Sequence, residues 1–180
     1  MKKLTHALFL FFAFQVNAQK SNVTYLNLEL AMPFKGNPER TSTDPNANKS
    51  FLLPDGLSSK IGYGLHYKKS ISVGLHTGID WKISAKVVSA PVFANLKFSP
   101  RLTENDESRL FVNLGYGRAF ALGRGDLSGK YLRGSLGLEA KDDEKQSLLL
   151  FIDISRTDLV LPFYPEGIGS ISLGIAVNFF

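Results

Sequence analysis

The sequence predicts an all-β protein, an eight-stranded antiparallel transmembrane β-barrel of up-and-down topology preceded by a cleaved signal peptide. Three observations predict it. Eight segments alternate apolar residues with small or polar ones at period two, which is the pattern of a strand with two unlike faces. After the N-terminus no apolar run approaches the length of a membrane helix, so a membrane crossing would have to use strands, whose polar half hides them from hydropathy. The last stretch, Ile171 to Phe180, sets Ile171, Leu173, Ile175, Val177 and Phe179 against Ser172, Gly174, Ala176 and Asn178 and ends on an aromatic residue.

Taken in order, residues 1–18 read as a secretory signal and 19–180 as the barrel domain. Lys2 and Lys3 precede an apolar run from Ala7 to Phe14, and Val16-Asn17-Ala18 suits cleavage before Gln19. That run is too short to span a bilayer, and the basic start argues against a buried N-terminal helix. The absence of cysteine leaves neither a lipoprotein anchor nor a disulfide framework. Removing Lys2 and Lys3 lowers the net charge from +5 to +3, a bias too weak to imply a nucleic-acid partner.

The first strand puts Thr24, Leu26, Leu28 and Leu30 outward and Tyr25, Asn27 and Glu29 inward. In the second, Ile61, Tyr63, Leu65 and Tyr67 oppose Lys60, Gly62, Gly64 and His66. The third is the cleanest: Ile71, Val73, Leu75, Thr77, Ile79 and Trp81 share one face, and Ser72, Gly74, His76, Gly78 and Asp80 the other. The fourth turns Val88 to Phe98 outward at even positions and carries Phe93, Asn95 and Lys97 inward, with Pro91 marking a bulge. Strands five to seven follow suit, with Asn113, Arg133, Glu139 and Asp153 inward. Arg133 and Asp153 lie on adjacent strands at a diagonal and are expected to interact.

With both termini in the periplasm, the inner turns are Lys68-Lys69, Ser99 to Ser108 and Lys141 to Gln146. The outer loops are Met32 to Ser59, Lys82 to Val87, Ala121 to Lys130 and Arg156 to Ile168. The longest connection is outside and the tightest inside, as in outer-membrane barrels. Outward aromatics fall at strand ends, Tyr67, Phe98 and Phe179 at the inner end and Trp81, Tyr116 and Phe120 at the outer end, as headgroup-level girdles do.

Together with the signal ending Asn17-Ala18-Gln19, motifs such as Ala90-Pro91-Val92-Phe93-Ala94-Asn95-Leu96-Lys97-Phe98 and Leu114-Gly115-Tyr116-Gly117 make the mature chain resemble the small bacterial outer-membrane β-barrels, the OmpA/OmpX-like group. The resemblance implies a Gram-negative outer-membrane location, outer-membrane lipid as surroundings, the barrel-assembly machinery as a partner during biogenesis, and a monomer. It also implies that assembly reads an outward terminal aromatic. Here that register gives Phe179, while Phe180 has opposite parity and departs from the family pattern, so Phe179→Ala is expected to impair assembly more than loss of Phe180. The family hosts structural, adhesive and enzymatic members, so the resemblance is weak on activity.

The inward positions are where chemistry would lie: Glu29, Lys60, His66, His76, Asp80, Lys97, Arg133, Glu139 and Asp153. Eight strands enclose just enough room for side chains, so charges of both signs are expected to pair into a filled lumen rather than line a pore. His66 and His76 suggest hydrogen-bonded lumen residues rather than a metal or acid–base site, which would need further convergent ligands. No cofactor is expected. A lipid A-modifying enzyme is the alternative by analogy, but its hydrolytic type needs serine, histidine and an acid near the membrane surface. A secreted soluble barrel holding an apolar ligand is a further alternative, with apolar faces turned inward. Arg124-Gly125-Asp126 looks like an integrin-recognition triplet, although Gly123, Gly125 and Gly129 suffice for a turn. The loop 32–59, rich in proline and asparagine, is the candidate surface for an external ligand.

Overall fold

Alternation at period two becomes nine strands in the computed structural model, which describes residues 23–41, 48–68, 70–100, 108–123, 127–141, 145–159 and 167–180. The signal segment and the Arg124-Gly125-Asp126 triplet lie outside the described residues. The strands are β1 (Thr24–Gly36), β2 (Leu52–Pro54), β3 (Gly56–Tyr67), β4 (Ile71–Lys82), β5 (Val87–Phe98), β6 (Ser108–Ala121), β7 (Ser128–Lys141), β8 (Gln146–Thr157) and β9 (Ile168–Phe179). From β3 onward each pairs antiparallel with the next, and β1 pairs with both β3 and β9. The β1–β9 ladder runs from Leu26↔Phe179 to Phe34↔Ile171 and closes an eight-stranded wall, on which β2 is a short addition beside the upper end of β1. Closure leaves the wall no free edge.

Two expectations need correction. The first outer connection is shorter than residues 32–59, because β1 continues through Gly36 and β3 begins at Gly56. Pro33 does not end the strand: it is buried on the inward face, and its carbonyl accepts the Asp55 amide at 2.8 Å. The step from Ala31↔Ser58 to Phe34↔Pro54 leaves one extra residue on the β2–β3 side, a bulge centred on Asp55 to Leu57. Gly56 sits there at φ +141°, and a Cβ on it would fall 1.9 Å from the Trp81 carbonyl oxygen. Conversely, Pro91 marks no bulge. Thr77↔Val92 and Asp80↔Ser89 keep one register across it, and the β4–β5 ladder merely skips the pairs between.

The outward face is a continuous apolar belt. Leucines, isoleucines and valines such as Leu75 (63% exposed), Ile152 and Leu173 point away from the wall on every strand of the barrel except where short side chains intervene. Tyr67, Phe98 and Phe179 ring the inner end; Trp81 and Phe120 stand at the outer end. Tyr116 lies lower, opposite Ala94 in mid-strand.

Inside, bulk is distributed by a rule that registration makes visible. Six inward rings face glycines on neighbouring strands: Tyr25 opposite Gly64, His76 opposite Gly62, Phe93 and Tyr131 both opposite Gly117, and Phe111 and Phe151 both opposite Gly137, whereas His66 faces Ser72. A Cβ added at Gly62 would come within 2.3 Å of the His76 ring, so glycine there makes room for the ring.

Candidate functional site

The charged inward residues gather into two groups at different depths. In the central group, Arg133 on β7 is the hub. Its Nε donates to Asp153 Oδ1 on β8 at 2.7 Å, and its Nη2 lies 2.7 Å from Glu29 Oε2 on β1, with β8 and β9 between the two strands in the wall. Asp153 Oδ1 also accepts from the Ser135 hydroxyl at 3.2 Å. Glu29 Oε1 lies 3.8 Å from His76 Nδ1, and His76 Nε2 is 3.2 Å from the Tyr25 hydroxyl. Lys60 on β3 donates to Asp80 Oδ1 at 3.0 Å and also contacts Ser58 Oγ, which itself donates to Asp80 at 2.5 Å. All of these side chains are buried, so each ion needs its partner to offset lost hydration.

The inner-end group is smaller. Lys97 Nζ on β5 lies 2.7 Å from Glu139 Oε1 on β7, and the carboxylate also accepts from Ser147 at 2.7 Å and from Ser99 at 2.8 Å. His66 sits near the inner end, edge-on to the Phe180 ring with centroids 4.9 Å apart, while His76 lies four residue pairs further along the same hairpin. The two histidines therefore do not converge. Phe180, of opposite parity to the outward Phe179, turns inward to cover His66, and its amide donates to the Lys145 carbonyl at 2.8 Å.

Apolar layers alternate with these groups, a feature that reading the lumen as polar overlooks. Along β8, Ser147 joins the inner-end pair, Leu149 and Phe151 join an apolar layer with Phe111, Ala31 and Ala176, and Asp153 joins the central network. At the outer mouth Ala85, Val87, Ala121, Leu159 and Ile168 form an apolar lid in which Leu159 is 1% exposed. Among the described residues the inward side chains thus form polar and apolar layers in turn, and the apolar faces of the strands point outward, opposite to what a soluble carrier of an apolar ligand requires.

Wall and lumen together decide the fold. This is the fold of the small eight-stranded outer-membrane barrels. The chain superposes on Neisserial surface protein A with a TM-score of 0.59 at 12% identity, over 87% of this chain and 96% of that one. It matches the N-terminal β-barrel domain of Pseudomonas aeruginosa OprF with a TM-score of 0.50 at 13% identity, over 86% and 96%. No family model and no curated protein sequence matches.

The outer rim is latched by one acid. Asp55, at the bulge between β2 and β3, accepts the Ser84 amide at 2.9 Å and the Ser84 hydroxyl at 2.7 Å, while its carbonyl takes the Ile83 amide at 2.8 Å. The first outer loop is thereby fastened to the β4–β5 turn. Within that loop the Asn37 side chain donates to the carbonyls of Asn48 and Ser50, which draws the two ends of the excursion together. His76 is enclosed by Tyr25, Glu29 and Phe93 inside the wall, away from the surface where a lipid substrate would present its ester bonds.

Proposed function

We propose that this protein is an integral outer-membrane barrel whose filled interior makes it a rigid scaffold, and whose outer loops carry its contacts with the exterior. The observation that carries this reading is the conjunction of a closed wall, an apolar belt on every strand of its exterior and paired buried ions within. In water that exterior would be an aggregation surface, whereas in a bilayer it is the favourable one. The latched loop 37–55 is the largest element at the outer end and the surface proposed to meet an external ligand. The terminal aromatics Phe179 and Phe180 are proposed to serve assembly and inner-end closure in turn. The Arg124-Gly125-Asp126 triplet adds a cell-adhesion reading only if Asp126→Glu lowers host-cell binding.

Fractionation and labelling test the proposal. The protein should pellet with outer membranes and run faster on a detergent gel before boiling than after. With no native cysteine, Asn48→Cys should react with a membrane-impermeant maleimide on intact cells and Lys68→Cys should not. Recovery in the soluble periplasmic fraction, or the reverse labelling pattern, would overturn it.

A further inference from the structure

Among the described strand side chains, the outward register carries only three charges: Arg118 on β6, Lys130 on β7 and Arg156 on β8. All are cationic, all are exposed, and all stand near the outer end of neighbouring strands. Arg118 and Lys130 face each other directly, and Arg156 opposes Leu132, which places it diagonally from Lys130. Like charges at such cross-strand positions repel, and charge on the lipid face of a barrel is unfavourable in itself. Among the described residues, Arg118 Nη2 donates to the Ser128 hydroxyl at 3.4 Å, and Asp158 accepts from Arg156 Nε at 3.0 Å. Three clustered cations thus stand beside one described carboxylate.

The neighbourhood says what kind of anion would complete it. On the same outward face, Tyr116, Leu132 and Ile154 lie just below the cluster, and Phe120 on β6 and the exposed Leu122 in the turn after it lie above. A soluble macromolecule would have to pass that apolar rim to reach the cations, while a lipid headgroup already sits at this depth. Arginine's planar fork suits phosphate oxygens, and clustered basic residues at a membrane surface attract anionic headgroups.

We propose that Arg118, Lys130 and Arg156 form a binding site on the barrel's outer wall for the phosphate groups of a lipid headgroup, namely those of the phosphorylated glycolipid of the external leaflet. The proposal rests on the outer-membrane reading above. Acyl chains would lie down the apolar belt beneath the cluster while the sugar phosphates meet the cations.

Native mass spectrometry of the detergent-purified barrel with added lipid A tests it. The Arg118→Gln/Lys130→Gln/Arg156→Gln variant should bind lipid A about tenfold or more weakly than the native protein. Dephosphorylated lipid A should bind the native protein as weakly as lipid A binds the variant. Lys68→Gln, at the inner end, should change nothing. A heat-modifiable gel shift confirms that each variant is folded, and the outward positions leave the lumen untouched. Equal lipid A binding by native and triple variant would overturn the proposal, as would displacement by millimolar inorganic phosphate, which would indicate a free-anion site. Recovery of the native protein as a soluble species would overturn the membrane reading itself, whereas an outer-membrane barrel with no phosphate preference would overturn only the assignment of this cluster.

Discussion

The two ionic groups of the lumen differ in how their acids are satisfied. In the central group one guanidinium serves two carboxylates, Asp153 on the adjacent strand β8 and Glu29 on β1, two strands beyond it. At the inner end one ammonium serves one carboxylate, and that carboxylate keeps two serine hydroxyls as well. The first arrangement makes a single residue indispensable; the second spreads the load. The contrast teaches that burial alone does not set the value of an ion pair, because what remains after one partner is removed decides the loss.

Substitutions can break this comparison, and urea unfolding of the barrel refolded in lipid vesicles measures them. Arg133→Met should show the largest loss, about 3–5 kcal/mol, because two buried carboxylates lose their shared cation at once and Asp153 is left with the longer Ser135 hydrogen bond. Lys97→Met should lose less, about 1–3 kcal/mol, because Ser99 and Ser147 still donate to Glu139. In a Ser99→Ala/Ser147→Ala background the Lys97→Met loss should rise toward that of Arg133→Met. If it does not, the hydroxyls are not what separates the two groups. Phe180→Ala should lose about 1 kcal/mol through its ring contact with His66. Smallest of all, Tyr131→Phe should be neutral or slightly stabilising, within about 0.5 kcal/mol, because the buried Tyr131 hydroxyl has no hydrogen-bond partner among the described residues. A clear destabilisation would reveal a partner for that hydroxyl.

Strand identity and facing were legible because parity needs no tertiary information: Glu29, Lys60, Asp80 and Arg133 fall on the inner face by counting alone. Pairing was legible only between adjacent strands. Arg133 and Asp153 belong to one hairpin, whereas Arg133 meets Glu29 only once β9 returns to β1, a contact across 104 positions of chain that alternation cannot anticipate. The upper part of β1 was obscured because Pro33 resembles a loop residue, and the bulge opposite it appears only in the register. The apolar layers were missed for a related reason. Phe93, Phe111, Tyr131 and Phe151 were visibly inward, but the glycines that receive them sit on other strands, and only the ladder shows that they are opposite.

The pairing of inward rings with glycines has a consequence for how such a barrel diverges. Enlarging Gly62 alone would drive a methyl into the His76 ring, and shrinking His76 alone would leave a hole against β3. Changing both at once passes the bulk from one strand to its neighbour and leaves the total volume constant. Gly117 and Gly137 are held differently, because a Cβ there would fall 2.0 Å from the Val92 carbonyl oxygen and 2.1 Å from that of Leu150, so shrinking Phe93 or Phe151 would not make room. Relatives of this chain should therefore keep those two glycines and exchange bulk across the β3–β4 hairpin, so that covariation between positions 62 and 76 persists after plain identity has faded.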